Sequence, residues 1–354
     1  MGILRLLFAL SVVFTHLDLK FLVGGRIAVE LFFMTSGYLI AGIINSDKYS
    51  SRKNFILSRL VRIYPIYFVT LIATLVFNFA IGSRDLSAVY KFLLENGNYF
   101  LIFLSILVNF MILGQDLLFF IKYSPDLFSF TTNYLNHYPY LNKVLIVPQG
   151  WTLSLELYFY FIYSWLYRYK KVLLLIFISS TLLRLYFSQV SLAAQEPWDY
   201  RFFPLEVSFF LLGVGIFAIS SKFSNLLDVR IMRLLQQFLY LLFIALIVFG
   251  SLLNLRPVIA TILYVCLYLL VLPISARMNR ASKVDSYLGQ LSYPIYVVHI
   301  LVIQMFTFYF GDLYENQLHI VQVLMIILLS GVLILKFIVD PIEKYRKRFA
   351  RLTN

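Results

Sequence analysis

The sequence predicts an all-α polytopic membrane protein, a helical bundle with about ten transmembrane helices. Hydrophobic residues make up 61% of the chain against 13% charged, with a mean hydropathy of +0.84. Apolar runs of about 17–20 residues recur along the whole length, each long enough to cross a bilayer. The Lys and Arg residues fall at the ends of those runs, so the net charge of +13 speaks of membrane topology rather than of nucleic acid. One membrane-embedded domain over residues 1–354 is expected, because no Gly/Ser-rich or Pro-rich linker interrupts it and no soluble domain follows the last apolar run. The lone Cys266 sits in the apolar LYVCLY and leaves no disulfide.

The apolar runs place spans at 3–19, 27–44, 63–81, 150–167, 172–190, 205–220, 235–252, 258–275, 288–308 and 321–339. The first begins near Arg5 and resembles a signal peptide. It has no small-residue cleavage site and carries His16 where the apolar run should end, so it reads as a mature helix. A cytoplasmic N-terminus puts 20 of the 30 Lys and Arg on the inner side: Arg5 and the clusters Lys48–Arg62, Arg168–Lys171, Lys222–Arg233, Arg277–Lys283 and Lys344–Arg351. Both termini are then cytoplasmic, in a plasma (inner) membrane. Region 92–147 is the exception. Its YFLIFLSILVNFMILG is nearly long enough to cross, yet a single crossing would move RYKK and every later basic loop outside. Parity therefore predicts a re-entrant or interfacial segment near 92–121, with Lys122, Pro125 and Asp126 breaking the stretch that follows.

Ionisable groups inside a bilayer are costly, so each is a candidate for function. Arg5 and His16 are eleven residues apart, which on a helix is roughly 20° in azimuth and roughly 16 Å along one face. The expected topology gathers His16, Glu30, Glu156, Arg184, Glu206 and His299 in the middle-to-outer half of the membrane. Three carboxylates, an Arg and two His there can partly neutralise one another. Glu206 suits a structural pair with Arg201 or Arg184 as well as it suits a contact with substrate. At the inner face, Arg59 and Arg62 stand one turn apart in LSRLVRIYPIYF and Arg5 reaches the same leaflet. Three guanidinium groups suit phosphate oxygens, which they match bidentately. No metal is expected, since no two His stand at i, i+3 or i, i+4 and no Cys pair exists. The chain has no P-loop and no G-x-G-x-x-G. A transporter or flippase of a lipid-linked glycan or acyl carrier would use the same buried charges as a path. It would also show two similar halves with paired Gly/Pro breaks, which this chain lacks.

Six segments in order resemble acyltransferase family 3, a family of integral membrane acyltransferases. They are RLLFALSVVFTH (an Arg, ten residues, a His), GRIAVELFFMTSGYLI, RLVRIYPIYF, WTLSLELYFY, FFLLGVGIF and LGQLSYPIYVVH. Thr152 stands where the family usually has Ser, and Glu30 where it often has Asp. The resemblance implies transfer of an acyl group, usually acetyl, from cytoplasmic acyl-CoA (acetyl-CoA) to a hydroxyl of a cell-surface glycan. Such acceptors include lipopolysaccharide O-antigen, exopolysaccharide and peptidoglycan. It implies His16 as the catalytic residue and Arg5, Arg59 and Arg62 as donor-side cations, with Glu30, Glu156 and His299 at further motif positions. The physical reading agrees. An imidazole can take a sugar hydroxyl proton at neutral pH, and Glu30 can orient it as a catalytic partner. An extended pantetheine arm is of the order of the roughly 16 Å from Arg5 to His16. Tyr38, Trp151, Tyr158 and Arg184 are candidates to stabilise the oxyanion, and Glu156 and His299 join Tyr38, Trp151 and Arg184 as candidate substrate contacts. The expected partners are acyl-CoA, a glycan acceptor and the lipid bilayer.

Reporter fusions after Ser50 and Tyr169 should report the cytoplasm, and fusions within 125–145 the outer side. A cytoplasmic signal from that last window would mean that the 92–121 segment crosses.

Overall fold

The computed structural model describes residues 1–46, 48–81, 84–125, 128–190, 195–222, 230–278, 282–314 and 316–346; Asp126 and the basic tail beyond Arg346 lie outside the described residues. Each of the ten apolar runs forms a helix. These are α1 (Gly2–His16), α2 (Gly25–Asn45), α3 (Arg52–Ile81), α6 (Trp151–Leu166), α7 (Lys170–Gln189), α8 (Phe203–Lys222), α9 (Arg230–Phe249), α10 (Pro257–Met278), α11 (Lys283–Phe310) and α12 (Gln317–Ile334). Among the described residues, eight helices are long and apolar enough to cross a membrane. α1 and α6, of 15 and 16 residues, are the shorter pair. At 1.5 Å per residue they reach roughly 22–24 Å against a hydrocarbon layer of roughly 30 Å.

The segment expected to re-enter or lie at the interface holds one short helix, α5 (Tyr99–Met111), and the end of another, α4 (Arg84–Glu95), leads into it. Neither is long enough to cross. α5 ends where Ile112 and Gly114 take positive φ, 64° and 88°. A small antiparallel hairpin follows, β1 (Ile121–Tyr123) on β2 (Phe128–Phe130), with Ile121 opposite Phe130. The sequence reading did not anticipate it. After α12, a π-helical segment at Leu335–Val339 leads into α13 (Asp340–Arg346).

The chain divides into two compact units: Met1–Phe55 with Ser208–His299 and Leu313–Asn354, and Ile56–Val207 with Ile300–Asp312. In the first unit, small residues and a few hydrogen bonds set how closely helices approach. The Asp285 carboxylate, in the first turn of α11, accepts from the backbone N–H of Gly2 (2.8 Å) and of Ile3 (3.0 Å), and so caps α1. Only glycine fits at position 2, because a Cβ there would lie 1.6 Å from the Asp285 carbonyl oxygen. The far end of α1 is tied to α2 by Thr15 Oγ1, which accepts from Gly25 N–H at 2.7 Å. α2 and α8 cross through two glycines. A Cβ on Gly37 would lie 1.9 Å from the Phe210 carbonyl oxygen, and one on Gly213 would lie 2.0 Å from that of Met34. The hydroxyls of Thr35 and Tyr268, 2.6 Å apart, join α2 to α10. In lipid, where burial of apolar side chains drives no association, close backbone approach and polar links do this work.

In the second unit, the buried Tyr67 of α3 donates its hydroxyl to the Asn109 carbonyl at 2.7 Å and accepts from Gln115 Nε2 at 2.6 Å. Asn109 in turn donates to the Val144 carbonyl and accepts from Ile146 N–H, both at 2.9 Å. These bonds fasten the end of α5 and the irregular chain after it to α3. Trp198 stands among Phe120, Phe187 and Phe202, with ring centroids 4.9, 5.2 and 5.1 Å away.

Gly37→Val and Gly213→Val should each lower the stability of the detergent-solubilised protein by about 1–3 kcal/mol, the usual cost of forcing atoms into a filled space. Gly215→Ala, whose Cβ meets nothing within 4 Å, should be neutral or gain up to about 1 kcal/mol from helix propensity. Thermal unfolding of the three variants checks both.

Candidate active site

In the first unit the register of two helices brings two histidines together. Gly2 and His16 are fourteen residues apart on α1, as are Asp285 and His299 on α11, which is about 21 Å along each. Helices that touch at Gly2 and Asp285 and run parallel therefore set His16 level with His299. The ring centroids are 5.1 Å apart, with the planes tilted by 41°. His16 ends α1 and is exposed, whereas His299 is completely buried. Nδ1 of His299 lies 2.7 Å from the Tyr296 carbonyl oxygen. A carbonyl only accepts, so Nδ1 holds the proton of the neutral ring and Nε2 presents a lone pair. That buried Nε2 has no hydrogen-bond partner among the described residues. An open imidazole thus stands beside a buried one whose tautomer is fixed.

The other sequence-predicted residues of this unit spread along the same helices. Glu30, completely buried in α2, pairs with Arg26 one turn earlier, Nε to Oε1 at 3.3 Å. Arg5 lies against α11 near Gly289, its Nη1 3.7 Å from where a Cβ on that glycine would be. The Tyr268 phenol sits in its field. Tyr38 lies about 12 Å beyond Glu30 along α2. There its ring meets Phe217 edge-on at 5.4 Å and its hydroxyl is 3.4 Å from Ser220 Oγ.

Arg59 and Arg62 belong to the second unit. Arg59 is buried, and both arginines set their fields on the Tyr160 phenol of α6. Tyr160 donates to Glu156 Oε1, one turn away. Glu156, which the sequence reading places in the outer half of the membrane, is thereby linked to the two arginines which that reading places at the inner face. The i, i+4 spacing of Glu156 and Tyr160 could have shown half of this link, as the same spacing could for Arg26 and Glu30. Glu206 pairs with Arg184. The Arg184 Nη2 lies 2.6 Å from Glu206 Oε1 and donates to the Leu205 carbonyl at 3.1 Å. Arg201 pairs instead with Glu196, Nη2 to Oε1 at 3.0 Å. The Arg201 guanidinium also lies over the Trp151 and Phe119 rings, 4.6 and 4.3 Å from their centroids. Burial works to raise the Glu196 carboxyl, but Arg201 and hydrogen bonds from Tyr134 and Tyr200 hold it below the usual carboxylate range.

Sequence reasoning missed Asp116 altogether. It follows α5 in a 3₁₀ turn, nearly inaccessible, and its Oδ1 accepts from Ser154 Oγ at 2.8 Å and Tyr158 OH at 3.2 Å. The Gly114 N–H donates to both of those hydroxyls, at 3.0 and 2.9 Å. Burial pushes the Asp116 carboxyl up to about 6, against the pull of these bonds.

A family model described as an acyltransferase domain, that of acyltransferase family 3, matches residues 1–338. Comparison with curated proteins finds no match, and comparison with solved structures finds none.

Asp116 gives the fold a pH dependence of definite sign. A carboxyl whose pKa rises from 3.8 to about 6 on folding holds more protons in the native state between those values. Stability should therefore fall as pH rises from about 4 to 6, by up to about 3 kcal/mol from this group. Thermal unfolding of Asp116→Asn across that window should lack the wild type's decline.

Proposed function

We propose that this protein, which belongs to acyltransferase family 3 by the match over residues 1–338, is a membrane O-acyltransferase of surface glycans. It moves an acyl group, most simply acetyl, from cytoplasmic acyl-CoA to a sugar hydroxyl of a polysaccharide such as O-antigen or exopolysaccharide. Membership supports acyl transfer. The observation that carries the assignment of the base is the contact between the exposed His16 and the buried His299.

In this reading neutral His16 takes the proton of the acceptor hydroxyl as its oxygen attacks the thioester carbonyl carbon. The new C–O bond forms, the C–S bond breaks, and the imidazolium returns its proton to the departing thiolate, leaving an ester and free CoA-SH. His299 contributes its unpartnered Nε2 lone pair beside that ring, and Tyr296 keeps the lone pair available. Glu30, balanced by Arg26, supplies negative charge on α2 without a bare buried anion. The donor's phosphates go to Arg59 and Arg62, with Arg5 as a further donor-side cation. Glu156 bears on the donor through Tyr160, and Trp151, braced by Arg201, offers an aromatic face on the acceptor side.

His16→Asn should lower glycan acylation by about 10²–10⁴-fold, the usual contribution of a general base, with unchanged abundance in the membrane. Arg62→Ala should weaken CoA by about 1.5–3 kcal/mol, the worth of a charge-assisted contact, and leave dephosphorylated pantetheine unaffected. The measurements are base-labile ester per inserted protein and ligand titration of purified protein. Near-wild-type acylation by His16→Asn would remove His16 from the mechanism, and equal weakening of both ligands would remove the phosphate assignment.

A further inference from the structure

The first unit holds a cavity of about 470 Å³ between the turn from α1 to α2 and the turn from α9 to α10. Small-molecule sites commonly fall within about 300–1,000 Å³. None of the residues given a chemical role above opens into it except Arg26, but Thr15, next to His16 on α1, forms part of its wall. The charged residues of the wall are Lys20 and Arg26, and no carboxylate lines it. Two hydroxyls in the wall, Ser251 Oγ and Thr261 Oγ1, are buried and have no hydrogen-bond partner among the described residues. Groups in that state lose hydrogen bonds that a ligand could restore. α2 also begins in this wall, at Gly25; Thr15 Oγ1 meets the Gly25 N–H, and the rest of the positive end of the helix dipole adds to the cations.

The backbone that forms the cavity is specific. Asp18, Leu22 and Gly24 hold positive φ, 50°, 65° and 84°, on the α1–α2 side. On the other side Asn254 is left-handed, with φ 49° and ψ 37°. Gly250 makes room for the Tyr264 hydroxyl, which would lie 1.7 Å from a Cβ at that position and instead donates to the Leu246 carbonyl at 2.7 Å.

We propose that this cavity binds an anionic group that bears hydroxyls, a carboxylated or phosphorylated sugar. Lys20, the Arg26 guanidinium shared with Glu30, and the helix start select the negative charge, Ser251 and Thr261 meet ring hydroxyls, and Leu22 and Pro257 give the ring an apolar face. In taking that sugar as the acyl acceptor the proposal rests on the acyl-transfer reading above, whereas the anion preference of the cavity stands apart from it.

Thiol labelling tests the proposal on the full chain in phosphatidylcholine nanodiscs. The reporters are Thr261→Cys and, as a second, Ser251→Cys, each with the native cysteine removed by Cys266→Ser. Rates with sulfonatoethyl and trimethylammonioethyl methanethiosulfonate are divided by the rates with a small free thiol. The anionic reagent should then be favoured by about tenfold or more, as a charged cleft concentrates its counter-ions. Lys20→Gln should reduce that preference, and glucuronate and glucose 6-phosphate should slow labelling where glucose does not. Equal corrected rates for the two reagents, or protection by glucose as strong as by glucuronate, would overturn the proposal. Protection by phosphatidylglycerol in the disc, without any sugar, would assign the cavity to a lipid headgroup and overturn the sugar. Charge-selective protection in a chain that acylates no acidic sugar would leave the site standing and overturn only its link to acyl transfer.

Discussion

The capping of α1 by Asp285 sets the register on which the candidate chemistry depends. Unmet N–H groups at a helix start need acceptors, and here the acceptor comes from another helix rather than from the preceding residue. Glycine at position 2 lets the backbones close to contact, and Gly289 keeps the facing side of α11 equally bare. From that fixed point both helices rise by the same amount per residue, so equal counts bring His16 and His299 to one level. A shift of one turn at the cap would displace one imidazole from the other by about 5.4 Å. The contact also fixes the sense of the two helices as parallel.

Much of this was legible in the sequence. The apolar runs matched all ten helices, because a span must be continuous and apolar and leaves an unmistakable trace. The common helix face of Arg5 and His16 followed from their spacing. What spacing cannot reveal is partnership between distant segments. The contact of His16 with His299, the seat of Asp285 and the crossing of Gly37 with Gly213 each depend on where a second helix lies. The hairpin at Ile121–Phe130 and the turn that buries Asp116 were hidden for another reason: short irregular segments held by side-chain hydrogen bonds have no periodicity to read.

The paired carboxylates show how such a chain keeps its charges. Glu30 has Arg26 within its own helix, Glu206 has Arg184 on the helix before it, and Glu196 has Arg201 a few residues on. A lone carboxylate in a medium of low dielectric would take up a proton, and removing one partner of a buried pair leaves an uncompensated charge. Replacing Arg26 would therefore act on Glu30 before it acted on any substrate. Asp116 differs in that neutral hydroxyls and backbone N–H groups surround it; burial raises its pKa, and these hydrogen bonds offset only part of that rise.

The acceptor for the first N–H groups of α1 lies 283 residues downstream of Gly2. During synthesis, at about 5–20 residues per second, the nascent chain waits about 15–60 s between making its first helix and making that helix's cap. Until then α1 can be inserted and can meet α2, but its first turn lacks its cap. The histidine pair is thus assembled only near the end of translation, so the ribosome completes most of the chain before any polypeptide competent for the proposed chemistry exists.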